Sequence, residues 1–347
     1  MRTASCLIVA AALLGLFAGT PVGADETPAA TADATELSLK YRPSRSWRYE
    51  LPAEQWRKVG GALDFSEVGG ARFITQVEGG ALKVDTDGDG TTDVAVEGKT
   101  GYVRLRTKDG FDYSVRLRNA GGWHWAASGA RVGKIGDVRV VLIDQDGDGR
   151  YDGYGRDAMI VGSSRVASFL SRVANVGGAL RTLEVAPDGR TLGHTEFTGK
   201  QGTLDAARRW KAQARLRSAI LRSEDGSLAF DLAGHVDGLS VPAGRYLLHG
   251  GSLALGDSVV RFRRGNAEAI EVKAGETTRL LAGSPLKAEF GYQRRGGELI
   301  LDPATLRWFG RAGEEYYAWT PFGKSPEFTI TDSKADKQIA KAIFTGT

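Results

Sequence analysis

The sequence predicts a mainly β protein of antiparallel sheets and β-sandwich domains, with at most one or two short helices, and three observations predict it. Short segments alternate apolar and polar residues with the period of two that suits half-buried strands, as in Arg72–Val77, Ala81–Val84, Gly101–Arg106, Tyr113–Arg118 and Asp137–Ile143. Forty-seven glycines punctuate them, many as Gly-Gly or Asp-Gly pairs that turn a chain and weaken a helix. Helical spacing is confined to two stretches. Val166, Phe169, Leu170 and Val173 predict one short helix over Ser163–Ala174, behind a serine pair able to cap it. Leu204–Leu216 is rich in Ala, Arg and Lys but ends in alternation, so helix and hairpin both fit it.

Residues 1–24 have the layout of a secretory signal. Arg2 precedes an uncharged apolar run from Cys6 to Phe17, and small residues close it at Val22-Gly23-Ala24. The run is shorter than the ~20 residues that span a bilayer. Cleavage after Ala24 is therefore expected, with a secreted or periplasmic product lacking a transmembrane segment. The only cysteine, Cys6, falls in that segment, so no disulfide or thiolate ligand is expected in the mature chain.

Residues 25–40, rich in Ala, Thr, Asp and Glu, read as a disordered leader. An N-terminal β domain follows over 41–205, in which Lys108-Asp109-Gly110 supplies a hairpin turn. A second unit is expected over 206–290 and a block of strands over 291–347, the latter a small sandwich or an extension of its neighbour. Within 206–290, Val241-Pro242-Ala243-Gly244-Arg245-Tyr246 and Val272-Lys273-Ala274-Gly275 each place an Ala-Gly turn before an alternating strand. This text resembles the prealbumin-like sandwich of carboxypeptidase regulatory-type domains. The resemblance implies an accessory sandwich without catalysis.

Two nine-residue stretches carry the chemistry. Asp85-Thr86-Asp87-Gly88-Asp89-Gly90-Thr91-Thr92-Asp93 and Asp144-Gln145-Asp146-Gly147-Asp148-Gly149-Arg150-Tyr151-Asp152 both spell DxDGDGxxD. Calcium wants six to eight oxygens, and alternating aspartates on a curled backbone converge carboxylates on one point. Asp85, Asp87, Asp89 and Asp93 are the expected ligands of one site, and Asp144, Asp146, Asp148 and Asp152 of the other. The carbonyls of Thr91 and Arg150 complete the spheres, and glycine at the sixth position permits the turn. Asp157 could swing back as an extra ligand of the second. The bidentate Glu of an EF-hand is replaced by Val96 and Gly155, and alternating apolar residues flank the first loop, so calcium-type hairpin loops are expected instead. They resemble the FG-GAP calcium loop of integrin-type proteins, in which DxDGDGxxD joins two strands. Two copies fall short of the regular series a propeller needs.

A formal charge of +4 with basic residues scattered along strands argues against a nucleic-acid stripe. GxSxG is absent, the nearest phrase being Gly250-Gly251-Ser252-Leu253-Ala254, and His124, His194, His235 and His249 show no zinc spacing. The expected product is an exported calcium-binding scaffold with no catalysis assigned. Two alternatives stay open. A carbohydrate- or cell-surface-binding module would use Trp123, Trp125, Trp308 and Trp319 against a polysaccharide or surface protein, although Trp123 and Trp125 share a strand face that suits a core. A hydrolase would use an acid pair assembled only on folding.

Overall fold

The computed structural model describes residues 34–206, 209–235, 237–321, 327–332 and 334–343. The expected signal segment 1–24 lies outside them. The regular structure is strand, with no α-helix among the described residues. Thr35–Ser38 falls in the expected leader yet forms a strand, paired antiparallel with Thr191–Glu196.

The N-terminal half is a set of antiparallel sheets. Thr100–Arg106, Asp112–Asn119 and Trp123–Ala127 run side by side, joined first by the Lys108-Asp109-Gly110 hairpin, where Gly110 takes φ +90°. Ala62–Phe65, Ala71–Glu78, Ala81–Val84 and Val94–Val96 form a second sheet. A third runs Ser168–Phe169, Ala158–Val161, Val138–Ile143, Gly129–Ile135 and Lys40–Pro43. Their inward faces share one core, in which Phe65, Phe73 and Tyr113 meet edge-on or tilted at 4.7 to 6.3 Å between ring centres. Tilted contacts of this kind suit the ring quadrupoles.

A larger sheet carries the second core. Arg215–Ser223, Gly244–Leu255, Ser258–Arg263 and Glu315–Thr320 are successive neighbours, and Glu298–Phe309 extends it, so the 291–347 strands continue this sheet as far as Thr320. Tyr246, in the Ala-Gly-Arg-Tyr turn, is buried and its hydroxyl donates to the Pro242 carbonyl at 2.7 Å. Among the named strands, Gln201–Asp205 with Thr277–Arg279 is the parallel pairing. Between strands, Arg209 N and Trp210 N both donate to the Ala206 carbonyl, and the later part of Leu204–Leu216 enters the strand Arg215–Ser223.

The helix expected over Ser163–Ala174 is not formed. Ser168–Phe169 pairs with Ala158 and Met159, and Val173–Val176 pairs with Ala179–Val185. Leu170 enters the first core, Val173 the second, and Phe169 packs with Ile220 and Ala229 at the seam between them. Hydrogen bonds stitch that seam: Ala229 N to Ser171 Oγ at 3.0 Å, Arg172 N to the Ser227 carbonyl at 3.0 Å, and Arg222 Nη2 to the Gly155 carbonyl at 2.9 Å.

Candidate metal centre

Both aspartate loops connect neighbouring antiparallel strands. The first joins Ala81–Val84 to Val94–Val96, which pair Leu82 with Val96 and Val84 with Val94. The second, longer connection joins Val138–Ile143 to Ala158–Val161, which pair Ile143 with Ala158. The glycines allow the curl: Gly88 and Gly90 take φ +78° and +92°, Gly147 and Gly149 take +72° and +84°, values that L side chains seldom adopt.

Each loop is organised by its first aspartate. Asp85 is buried, with Oδ1 accepting from Gly88 N at 2.7 Å and Oδ2 from Gly90 N at 3.0 Å. Asp144 repeats the pattern with Gly147 N at 2.6 Å and Gly149 N at 2.7 Å, and gains a further donor, the Tyr113 hydroxyl, at 2.7 Å from Oδ2. Backbone donors aimed inward hold these carboxylates in place and leave lone pairs free.

The loops then diverge. In the first, Asp85, Asp87 and Asp89 each offer an oxygen within 4.8 Å of the others, with Asp87 and Asp89 exposed. Asp89 Oδ1 accepts from Thr91 N and Thr91 Oγ1, which hold its carboxyl below the usual range. Asp93 stands apart from this trio: its Oδ2 accepts from Thr86 N at 2.7 Å and Thr86 Oγ1 at 2.8 Å, closing the loop at its base.

In the second loop the converging trio is Asp144, Asp146 and Asp157, all buried. Asp157 replaces the expected Asp148 and Asp152 in the cluster. Asp148 Oδ1 takes Arg150 N at 2.8 Å, and its Oδ2 lies 3.7 Å from Arg156 Nη2. Asp152 is held by Arg150 itself, in a two-pronged pair at 2.9 and 2.7 Å. The chain returns through Gly153, whose N–H donates to Asp157 Oδ2 at 2.9 Å. Against the outside of the curl lie Trp125, Phe65 and Tyr113. A Cβ on Gly147 would meet Trp125 at 3.1 Å, and one on Gly149 would meet Phe65 at 2.8 Å.

Two oxygens of this trio, Asp146 Oδ1 and Asp157 Oδ1, are buried and have no hydrogen-bond partner. Burial pushes the Asp144 and Asp157 carboxyls up, and the neighbouring carboxylates push both further. Removing a carboxylate from water is costly unless it is paired or coordinates a metal. Arg156 lies 3.5 Å from Asp146 Oδ2, but it is largely exposed and leaves the orphaned oxygens untouched. The acidic clusters could therefore hold a metal ion, and the all-oxygen donor set selects a hard cation.

Trp123 and Trp125, considered as ligand platforms, are core residues at 4% exposure each. No known family model, curated protein or solved structure matches the chain.

Proposed function

We propose that the chain is an exported calcium-binding β protein in which the ion fixes the turns of the N-terminal β region and the remainder serves as a scaffold. The observation that carries this reading is the pair of orphaned buried oxygens, Asp146 Oδ1 and Asp157 Oδ1, in a trio of buried carboxylates. A divalent cation supplies the missing partner to both and offsets the repulsion among three anions. Calcium accepts six to eight oxygens in flexible geometry and so suits a ligand set drawn from a turn, whereas magnesium demands near-octahedral geometry and keeps its waters. The first loop adds a weaker, more exposed site on Asp85, Asp87 and Asp89, with the Thr91 carbonyl within the same turn. The likeness of both loops to FG-GAP calcium loops supports the same assignment. Export follows from the signal-like text of residues 1–24, and an outside medium with millimolar calcium fits binding at ~0.1–1 mM.

The test is thermal unfolding of the chain from residue 25 onward, in chelator and then with calcium restored over the millimolar range. A transition that climbs with calcium shows an ion bound to the native state, as linkage requires. No movement of any transition, together with no heat of binding in calorimetry, overturns the reading.

A further inference from the structure

Away from the aspartate loops, a cavity of about 1040 Å³ opens between the strands of the two cores. Its volume lies just above the ~300–1,000 Å³ range of small-molecule sites. Met159, Ile160, Phe230 and Leu239 give it buried apolar walls. Arg165 and Arg215 line it as exposed side chains, and so stand at its mouth. Among the described residues neither guanidinium has an ion pair or a hydrogen bond, whereas the third arginine of the lining, Arg217, is paired with Glu50.

Two further groups define what the cavity can hold. Ser168 Oγ is buried in the lining with no hydrogen-bond partner, although a hydroxyl can both donate and accept. Asp231 is the one carboxylate among the described lining residues, and one of its two oxygens is engaged by the protein. Its Oδ1 accepts from Ala219 N at 2.8 Å and Ala233 N at 3.0 Å. A cationic ligand would meet two uncompensated arginines at the mouth. A fully polar one would give up its own hydration against apolar walls that return no hydrogen bonds.

We propose that this cavity binds a small organic anion, a carboxylate on an apolar body, with Arg165 and Arg215 taking the head group, Ser168 Oγ hydrogen-bonding within the cavity and the apolar walls enclosing the body. Guanidinium forks match a carboxylate in two-pronged geometry, which a point charge does not. The site is independent of the calcium reading, because none of the aspartates of either loop lines it.

Calorimetry on the calcium-supplemented chain with three probes that share an eight-carbon chain, octanoate, octylammonium and octyl glucoside, tests the assignment. Octanoate is expected to bind and the other two to bind at least about tenfold more weakly, a difference of about 1.4 kcal/mol. In the double variant Arg165→Gln/Arg215→Gln the octanoate Kd should rise by about tenfold or more, while Ser168→Ala should raise it severalfold. Both arginine side chains are exposed and without partners among the described residues, so the double variant is expected to fold, with an unchanged circular dichroism spectrum as the control. Absence of octanoate binding up to about 10 mM, equal binding of the three head groups, or an unchanged Kd in the folded double variant overturns the proposal.

Discussion

Tyr113 donates its phenolic hydrogen bond to Asp144 Oδ2 across 2.7 Å, and both side chains are buried. The contact ties the first aspartate of the second loop to the strand Asp112–Asn119 of the first core. Burial, then the nearby Asp144 charge, hold the Tyr113 hydroxyl well above its ordinary pKa, so it remains a donor at neutral pH. Tyr113→Phe removes this donor from a buried carboxyl and should lower unfolding stability by about 1.5–3 kcal/mol, the range for hydrogen bonds to charged groups. Urea unfolding in chelator reads it as a lower midpoint at unchanged slope. A variant as stable as the parent would show that Asp144 is held by its backbone donors alone.

The sixth residue of each loop, Gly90 and Gly149, has nearly the same φ, +92° and +84°, in different surroundings. Nothing lies within 4 Å of a Cβ on Gly90, while one on Gly149 would sit 2.8 Å from Phe65 Cδ1. The Phe65 ring is buried at 4.7 Å from Tyr113 and 5.6 Å from Trp125, and cannot swing aside freely. Alanine at either position carries the left-handed backbone penalty, so the difference between the variants isolates the crowding. Gly149→Ala should lose about 1–3 kcal/mol more than Gly90→Ala, the usual cost of overpacking. Equal losses would mean that the ring yields at little cost.

What could be read from the sequence was what is local. The DxDGDG spacing places carboxylates by chain geometry within a few bonds, and Asp85, Asp87 and Asp89 converge as that spacing implies. The Lys108-Asp109-Gly110 turn and the alternating strands around it are local in the same sense. Asp157 is different, because it reaches the second trio only by way of the turn at Gly153, and Arg150 withdraws Asp152 by a side-chain pair that spacing does not encode. The failed helix at Ser163–Ala174 has the same origin. Leu170, Val173 and Phe169 sit at helical intervals, yet they serve three separate clusters, and a periodicity argument assumes one buried face.

Substitution of the two aspartates that changed places separates the geometry from the motif. Asp157→Asn removes a carboxylate that belongs to the trio, and should abolish most of the calcium-dependent rise in melting temperature contributed by the second loop. Asp152→Asn should leave that rise intact. Its loss is confined to a partly exposed pair with Arg150, worth about 0.2–1 kcal/mol. The calcium titration of thermal unfolding reads both, and the reverse ranking would place the ion on the ninth residue of the motif.

Asp231 gives the fold a pH dependence of opposite sign to that of a salt-bridged carboxylate. Burial pushes its pKa up to about 6, against the pull of the Ala219 and Ala233 amides. The unfolded chain holds it at about 3.9, so between roughly pH 4 and 6 the native state binds more protons than the unfolded one. Its contribution is therefore fully present below pH ~4 and is lost as pH rises through ~6, by about 3 kcal/mol in total. Asp231→Asn keeps an oxygen to accept both amides and cannot ionise. Parent and variant compared by urea unfolding at several pH values should differ by an amount that changes across this window, with the variant gaining relative stability as pH rises. A difference that stays constant from pH 4 to 7 would show that Asp231 ionises as freely in the native protein as in the unfolded chain.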